Sequence, residues 1–146
     1  MMYTAKATAA AGTNTDWDSA AKTAFRLTRV IIHQIDLEFP SGCAGLVQAA
    51  VLDHGHPLWP SDFGDTVRGD GVILSGMESY ELDEEPFELE LAVFSTDDTY
   101  DHTVEAHVYM LPKSAAQPWL AVTYALSRLQ DSMDSLIAEL KRRRIA

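Results

Sequence analysis

The stretch FELELAVFSTDDTYDHTVEAHVYML, Phe87–Leu111, decides the predicted fold. Apolar and polar residues alternate in both of its halves, which is the period-2 pattern of a half-buried β-strand. The polar run STDDTYD between the halves is typical of a turn. We therefore predict an antiparallel hairpin with one apolar face and one acidic face exposed to water.

A second strand is predicted upstream, in RLTRVIIHQIDLEFP, Arg26–Pro40. Its β-branched run and the alternation in IDLEF favour a strand over a helix. On this prediction one face carries the odd-numbered residues from Leu27 to Phe39, and Val30 and Ile32 lie on the other. A helix running from Asp16 to about Gln34 is the alternative interpretation of this region.

The C-terminal region changes to a helical period. Apolar residues recur at alternating steps of three and four, which is the a/d pattern of three heptads: Trp119, Val122, Leu126, Leu129, Met133, Leu136 and Leu140. We predict a long helix that lays this stripe on the apolar face of the sheet, although pairing of such helices between subunits fits the pattern too.

These elements predict an α+β fold, an antiparallel β-sheet covered on one face by the long C-terminal helix. Residues 1–15 are small and polar and are predicted to form a flexible N-terminal arm. Residues 16–146 are predicted to form a single domain, since 146 residues is the size of one ordinary domain.

The charge balance narrows the range of partners. Asp and Glu number 22 against 11 Lys and Arg, for a net charge of −11. Such a surface is repelled by nucleic acids and by anionic membranes, whereas a basic protein partner fits it. The N-terminus has no apolar leader region, no stretch is long and apolar enough to span a membrane, and Cys43 is the single cysteine. We therefore expect a cytoplasmic protein, or a subunit of a particle assembled there, without disulfides.

Two short motifs offer candidate chemistry. In VLDHGHPLWPSDFGD, Val51–Asp65, the side chains of Asp53, His54 and His56 are candidate metal ligands, because a His-x-His spacing on a strand places both imidazoles on one face. Gly55 and Pro57 instead favour an ordinary polar loop. The RGD at Arg68–Asp70 is interpreted as a turn, and no motif predicts a cofactor.

The region from Asp62 to Glu105 contains fourteen acidic residues and one basic residue, Arg68. A solvated sheet face with turns accounts for such a region, and so does docking to a basic partner or imitation of nucleic-acid phosphates. The candidate interaction residues, taken from this region and from the helix, are Glu81, Asp83, Glu84, Glu85, Glu88, Glu90, Trp119, Leu126 and Met133.

Two partial resemblances accompany this pattern. FRLTRVIIHQIDLEFP followed by FELELAVFSTDDTYDHTVEAHVYM is similar to the sheet of the bacterial export chaperone SecB, over roughly a third of the chain. That resemblance implies an acidic cytosolic tetramer that holds unfolded chains, but Ser41–Glu85 and the uninterrupted helix depart from it. The order of hairpin, proline and helix is similar to small phage tail-completion proteins, which implies an assembly role.

Taken together, the sequence predicts a non-enzymatic acidic protein–protein interaction module. We expect it to be a subunit of a homo-oligomer or a larger assembly, such as a phage-type structural protein. Three alternatives stay open: a SecB-like holding chaperone, a phosphate-mimicking inhibitor of a nucleic-acid-binding protein, and a metal-dependent enzyme that uses Asp53, His54 and His56.

Overall fold

A computed structural model describes residues 1–62, 64–116 and 118–145, with the side chains of residues 116, 118–121 and 144–145 outside the description. It divides the chain into two compact units, Met1–Leu111 and Pro112–Ala146. The first unit is built of strands whose described pairings are all antiparallel. They are β1 (Met2–Ala9), β2 (Ala21–Arg26), β3 (Val30–Glu38), β4 (Val47–Asp53), β5 (His56–Trp59), β6 (Val67–Arg68), β7 (Ile73–Leu82), β8 (Glu88–Ser95) and β9 (His102–Leu111).

The strands form two sheets that pack face to face. Sheet I has the order β1-β9-β3-β7, and sheet II has the order β2-β8-β4-β5, with the short β6 also paired to β4. Their apolar faces share one buried cluster, in which Ile35 and Val108 of sheet I lie with Val51 and Leu91 of sheet II. The predicted apolar sheet face therefore exists, and its cover within this unit is a second sheet.

The predicted hairpin of Phe87–Leu111 is wrong in its connection, although both strands are present. β8 lies in sheet II between β2 and β4, whereas β9 lies in sheet I between β1 and β3. The segment between them therefore crosses from one sheet to the other. Alternation shows which residues of a strand face the core. It does not show whether two such strands are neighbours in one sheet or lie in opposite sheets that share the core.

The strand predicted in Arg26–Pro40 is confirmed as β3, and the alternative helix over Asp16–Gln34 is wrong. A β-bulge interrupts the register between Ile32 and Gln34. Ile32 before the bulge and Ile35 after it are both fully buried. The bulge inserts one residue, so even-numbered residues face the core before it and odd-numbered residues face the core after it. The prediction that odd-numbered residues share one face is therefore wrong for the residues before His33.

The expected flexible arm is ordered in the structure. Met2–Ala9 pairs residue for residue with β9, from Met2 opposite Tyr109 to Ala9 opposite His102. Ala5, Ala7 and Ala9 are buried, because small side chains fit where the strand closes over the core. The small residues of this segment therefore belong to an ordered strand, in which alanines face the core.

The second unit is helical, with α1 (Lys113–Ala116) and α2 (Pro118–Ile145). The predicted long C-terminal helix is thereby confirmed. Its described apolar side chains from Val122 to Leu140 are between 46% and 66% exposed. With mostly antiparallel sheets and one long helix, the chain is of the α+β kind, in two compact units where the sequence analysis expected one domain over 16–146.

Candidate functional site

The predicted metal-binding loop is a tight turn between β4 and β5. Asp53 pairs with His56 in the ladder, so His54 and Gly55 form the two central residues of the turn. Both have positive φ, 48° at His54 and 79° at Gly55, as a two-residue hairpin that follows the sheet twist requires. Glycine adopts this conformation without strain, and histidine is one of the few other residues enriched there.

Asp53 at the start of this turn joins the two sheets. Its Oδ1 lies 2.6 Å from His54 Nδ1, and its Oδ2 accepts a hydrogen bond of 2.5 Å from the Tyr80 hydroxyl on β7. The hydrogen bond to Asp53, followed by burial and the carboxylate charge, raises the pKa of Tyr80 to about 12. The buried Asp53 carboxylate therefore holds a sheet II strand to a sheet I strand through its hydrogen bonds.

His56 is exposed on β5. Within the described residues, Asp53, His54 and His56 do not form a group whose ligand atoms all approach within 4.8 Å, whereas Glu38, Glu105 and His107 do. These three residues are not among the predicted site residues. The alternation of Glu105 and His107 places both on the face of β9 that points away from the core, but their partner Glu38 belongs to β3, 67 residues before Glu105.

The geometry of this second group follows from the ladder. Glu38 and Glu105 are directly opposite each other on β3 and β9, and Asp36 is opposite His107. His107 Nε2 lies 3.4 Å from Glu38 Oε2, and its Nδ1 lies 3.1 Å from Thr4 Oγ1 on β1. Lys6 Nζ contacts Glu105 Oε1 at 2.5 Å. Three adjacent strands thus supply one connected polar cluster.

The predicted acidic interaction residues fall into two groups. Those on strands have basic neighbours: Glu88 and Glu90 on β8 lie 3.3 Å from Arg26 and 3.5 Å from Lys22 of β2, and Glu81 on β7 lies 3.7 Å from Arg29, just before β3. Asp83, Glu84 and Glu85 instead form the exposed connection between β7 and β8. Among the predicted acidic interaction residues, the exposed side chains are therefore those of this turn.

Cys43 and the RGD motif belong to one structural loop. The buried Cys43 thiol donates to the carbonyl oxygens of Pro40 and Gly69, at 3.1 and 2.9 Å. Asp70 Oδ1 accepts backbone N–H groups of Gly42 and Cys43, at 2.7 and 3.2 Å. Burial raises the pKa of the Cys43 thiol. Both residues therefore fasten the segment after β3 to the segment before β7. The interpretation of RGD as a turn holds only in part, because Arg68 belongs to β6 and the chain bends at Asp70.

A buried histidine organises the crossing from β8 to β9. His102 Nε2 lies 2.8 Å from Asp97 Oδ2, and Asp97 Oδ1 accepts the backbone N–H of Thr99 at 2.8 Å. These hydrogen bonds, with His102 the larger influence, lower the pKa of Asp97. The polar residues that predicted a hairpin turn are therefore used to fix the crossing between sheets.

The helix α2 carries the largest exposed apolar surface in the described part of the second unit. Leu126, Met133 and Leu140 occupy one heptad position, and Val122, Leu129 and Leu136 occupy the position three residues later in the repeat. All six are at least 58% exposed. The side chain of Trp119, the remaining predicted interaction residue, lies outside the described part of the structure.

Comparisons with known proteins add little to this geometry. No protein-family model matches the sequence, and no curated protein matches it. Among solved structures, a chain of the cyanophage Pam1 capsid asymmetric unit is similar at 16% sequence identity, over 76% of this chain and 85% of that chain, with a TM-score of 0.35. A likeness at this level establishes neither a shared fold nor a shared role.

None of the helices in the described residues has the length and apolar character needed to cross a lipid bilayer.

Proposed function

We propose that this protein is a non-enzymatic subunit of a homo-oligomeric assembly, joined to further copies of itself through α2. The observation that supports the proposal is the row of six exposed apolar side chains on α2. Full burial of a Leu, Val or Met side chain is worth about 1.5–3 kcal/mol, and helices in water gain most of their stability by packing such a face. A partner for this row would supply that stabilisation.

The distribution of charge on α2 favours a second copy as that partner. Between Val122 and Ile137 the charged residues are Arg128, Asp131 and Asp134, and all three lie on the side of the heptad away from the apolar row. The flanking positions between the row and this side carry Thr, Ala, Gln, Ser and Ile, and then Glu139, whose carboxylate lies 3.3 Å from Arg143 of the same helix. Identical helices that meet along this row therefore bring few like charges together. A dedicated basic or acidic partner would call for charged flanks.

The proposed oligomer would present several copies of the sandwich, each with an acidic turn at Asp83–Glu85. A basic surface on another protein fits this turn, and repulsion from nucleic acid and anionic lipid fits the net charge of −11. We propose assembly in the cytoplasm, as a structural subunit of a larger particle of the kind that the sequence pattern of small phage proteins implies.

Sedimentation equilibrium of the full chain tests self-association. Leu129→Asp places a charge in the middle of the apolar row, and we expect it to weaken association by about 100-fold or more, because a buried unpaired charge is costly. Ser135→Asp is the matched control: it introduces the same residue in the same helix, on the charged side, and should leave the oligomer intact. Leucine is a better helix former than serine, so Leu129→Asp loses a few tenths of a kcal/mol more helix propensity than Ser135→Asp, and circular dichroism of both variants checks that the helix is kept.

Several outcomes would contradict the proposal. A wild-type chain that is monomeric at tens of micromolar, or equal behaviour of the two Asp variants, would refute helix pairing. Suppression of aggregation of an unfolded client by a monomer would favour the holding chaperone. Salt-sensitive competition with nucleic acid for a basic protein would favour the phosphate mimic.

A further inference from the structure

We infer that Glu38, Glu105 and His107 form a binding site for a zinc ion, on the face of sheet I that points away from sheet II. The three side chains come from adjacent strands in the middle of the sheet, so the backbone fixes their spacing. Their ligand atoms all lie within 4.8 Å of one another. Imidazole nitrogen with carboxylate oxygens is a ligand set that zinc accepts, with a fourth position left for water.

The orientation of His107 supports metal binding. When Nδ1–H donates to Thr4 Oγ1 at 3.1 Å, the lone pair of Nε2 points toward Glu38 Oε2. A hydrogen bond from the second ring nitrogen is how proteins fix the tautomer and direction of a metal-binding histidine. In this tautomer Nε2 and Glu38 Oε2 both present lone pairs, which a cation between them would bridge, whereas in the other tautomer Nε2–H donates to Glu38.

The distance between these two atoms has the value that a zinc ion would require. His107 Nε2 and Glu38 Oε2 are 3.4 Å apart, which is long for a hydrogen bond. Two ligands at about 2.1 Å from zinc, separated by the tetrahedral angle, lie about 3.4 Å from each other. A zinc ion about 2.1 Å from both atoms would therefore require little movement of either side chain.

The local charge also favours a divalent cation. Glu38 and Glu105 are directly opposite across the ladder, where like charges destabilise the pairing. Asp36, opposite His107, is a carboxylate only 8% exposed that accepts its 2.8 Å hydrogen bond from the neutral amide of Gln34. Three carboxylates against the single ammonium of Lys6 leave a net charge of −2 in this cluster, which one zinc ion neutralises.

Lys6 provides a sharp test because it competes with the metal for Glu105. Its ammonium contacts Glu105 Oε1, yet its side chain is 61% exposed and is free to move into solvent. Removing it by Lys6→Gln should therefore strengthen zinc binding, by up to about 5-fold, the size of an exposed ion pair expressed as an affinity. Zinc bound elsewhere through general negative charge would respond only slightly, because the substitution changes a net charge of −11 by one unit.

The experiment is calorimetric titration of zinc chloride into the chelator-treated full chain. We expect one zinc per chain, binding at least about 10-fold weaker in Glu38→Gln and His107→Ala, and about 10-fold weaker in Thr4→Val through loss of the hydrogen bond to the ring. Glu38 has a side chain 51% exposed, so its variant tests the site without threatening the core. Circular dichroism confirms that each variant is folded.

His56→Ala is the matched control, since it removes an exposed histidine from the β4–β5 turn. Unchanged binding in this variant, with loss in His107→Ala, supports the site on sheet I. Absence of zinc binding, or loss of binding in His56→Ala with retention in His107→Ala, would overturn it. Binding is measured directly, so the result does not depend on the proposed helix pairing.

Discussion

Leu91 and Leu129 show how differently the two units of this chain use the same residue type. Leu91 on β8 is fully buried among side chains from both sheets, whereas Leu129 on α2 is 61% exposed. The apolar faces that the two sheets turn toward each other are buried within the same chain, and Trp17 and Ala20 pack over Leu52 on the far side of sheet II. The core of the sandwich is thus covered within one chain, whereas the described large apolar side chains of α2 are exposed, and that exposure is what the proposed pairing of helices would remove.

The largest expected effect on stability comes from truncating the buried side chain, Leu91. Leu91→Ala should lower the free energy of unfolding of the sandwich by about 2–5 kcal/mol, because it removes transfer free energy and leaves a cavity. Leu129→Ala should leave the same unfolding transition within about 0.5 kcal/mol of wild type, as expected for a side chain outside the core. Urea denaturation followed by fluorescence of the sandwich tryptophans measures both.

The mass of the oligomer should be affected in the opposite order by the same two variants. Leu91→Ala should keep the subunit number at a temperature where it is folded, and Leu129→Ala should weaken association. If Leu129→Ala destabilises the sandwich as much as Leu91→Ala does, the two units are energetically coupled and the distinction between them fails.

A smaller effect is expected at the polar link between the sheets. Tyr80→Phe removes the hydrogen bond to the buried Asp53 carboxylate and should cost about 1–3 kcal/mol of unfolding free energy. The raised pKa of Tyr80 means that the folded state holds this proton more tightly than the unfolded state does. The contribution is therefore complete below pH 10 and disappears as pH rises toward about 12.

Thermal unfolding of wild type and Tyr80→Phe across this range measures the difference directly. The two curves should converge above pH 12 while other groups titrate equally in both proteins. A difference that stays constant with pH would mean that the hydroxyl acts through packing rather than through its hydrogen bond.

Local patterns in the sequence predicted the local parts of the fold. The heptad spacing of α2 depends only on neighbours three and four residues apart, and the alternation of β8 and β9 depends only on neighbours two apart. Strand pairing is not local in this way. The same alternation in Phe87–Leu111 fits a hairpin and a crossing, and the structure selects the crossing with buried contacts such as His102 to Asp97.

The candidate sites follow the same division. The turn at His54–Gly55 could be anticipated from residue types, because both tolerate positive φ. The cluster of Glu38, Glu105 and His107 could not, since it depends on the register of β3 against β9 and on a bulge at His33 that no local pattern reveals. Short motifs therefore point to the β4–β5 turn and not to the residues that the pairing of β3 with β9 brings together.

The smallest effect on stability is expected in the acidic turn, and it sharpens the comparison between paired and exposed charges. Neutralising Glu84 and Glu85 together, each to Gln, should change the free energy of unfolding by less than about 0.5 kcal/mol, because these side chains are exposed. Neutralising Glu88 and Glu90 removes two ion pairs with Arg26 and Lys22, which are worth about 0–1 kcal/mol each at exposed positions.

Binding should rank the two variants in the opposite order. If the turn is the surface for a basic partner, its neutralisation should weaken retention on an anion-exchange resin at low salt. Loss of Glu88 and Glu90 should weaken retention less, because Arg26 and Lys22 of the same chain already lie beside those two carboxylates. The difference should vanish near 1 M salt, where charges are screened within about 3 Å. Equal retention of both variants would show that net charge alone governs binding.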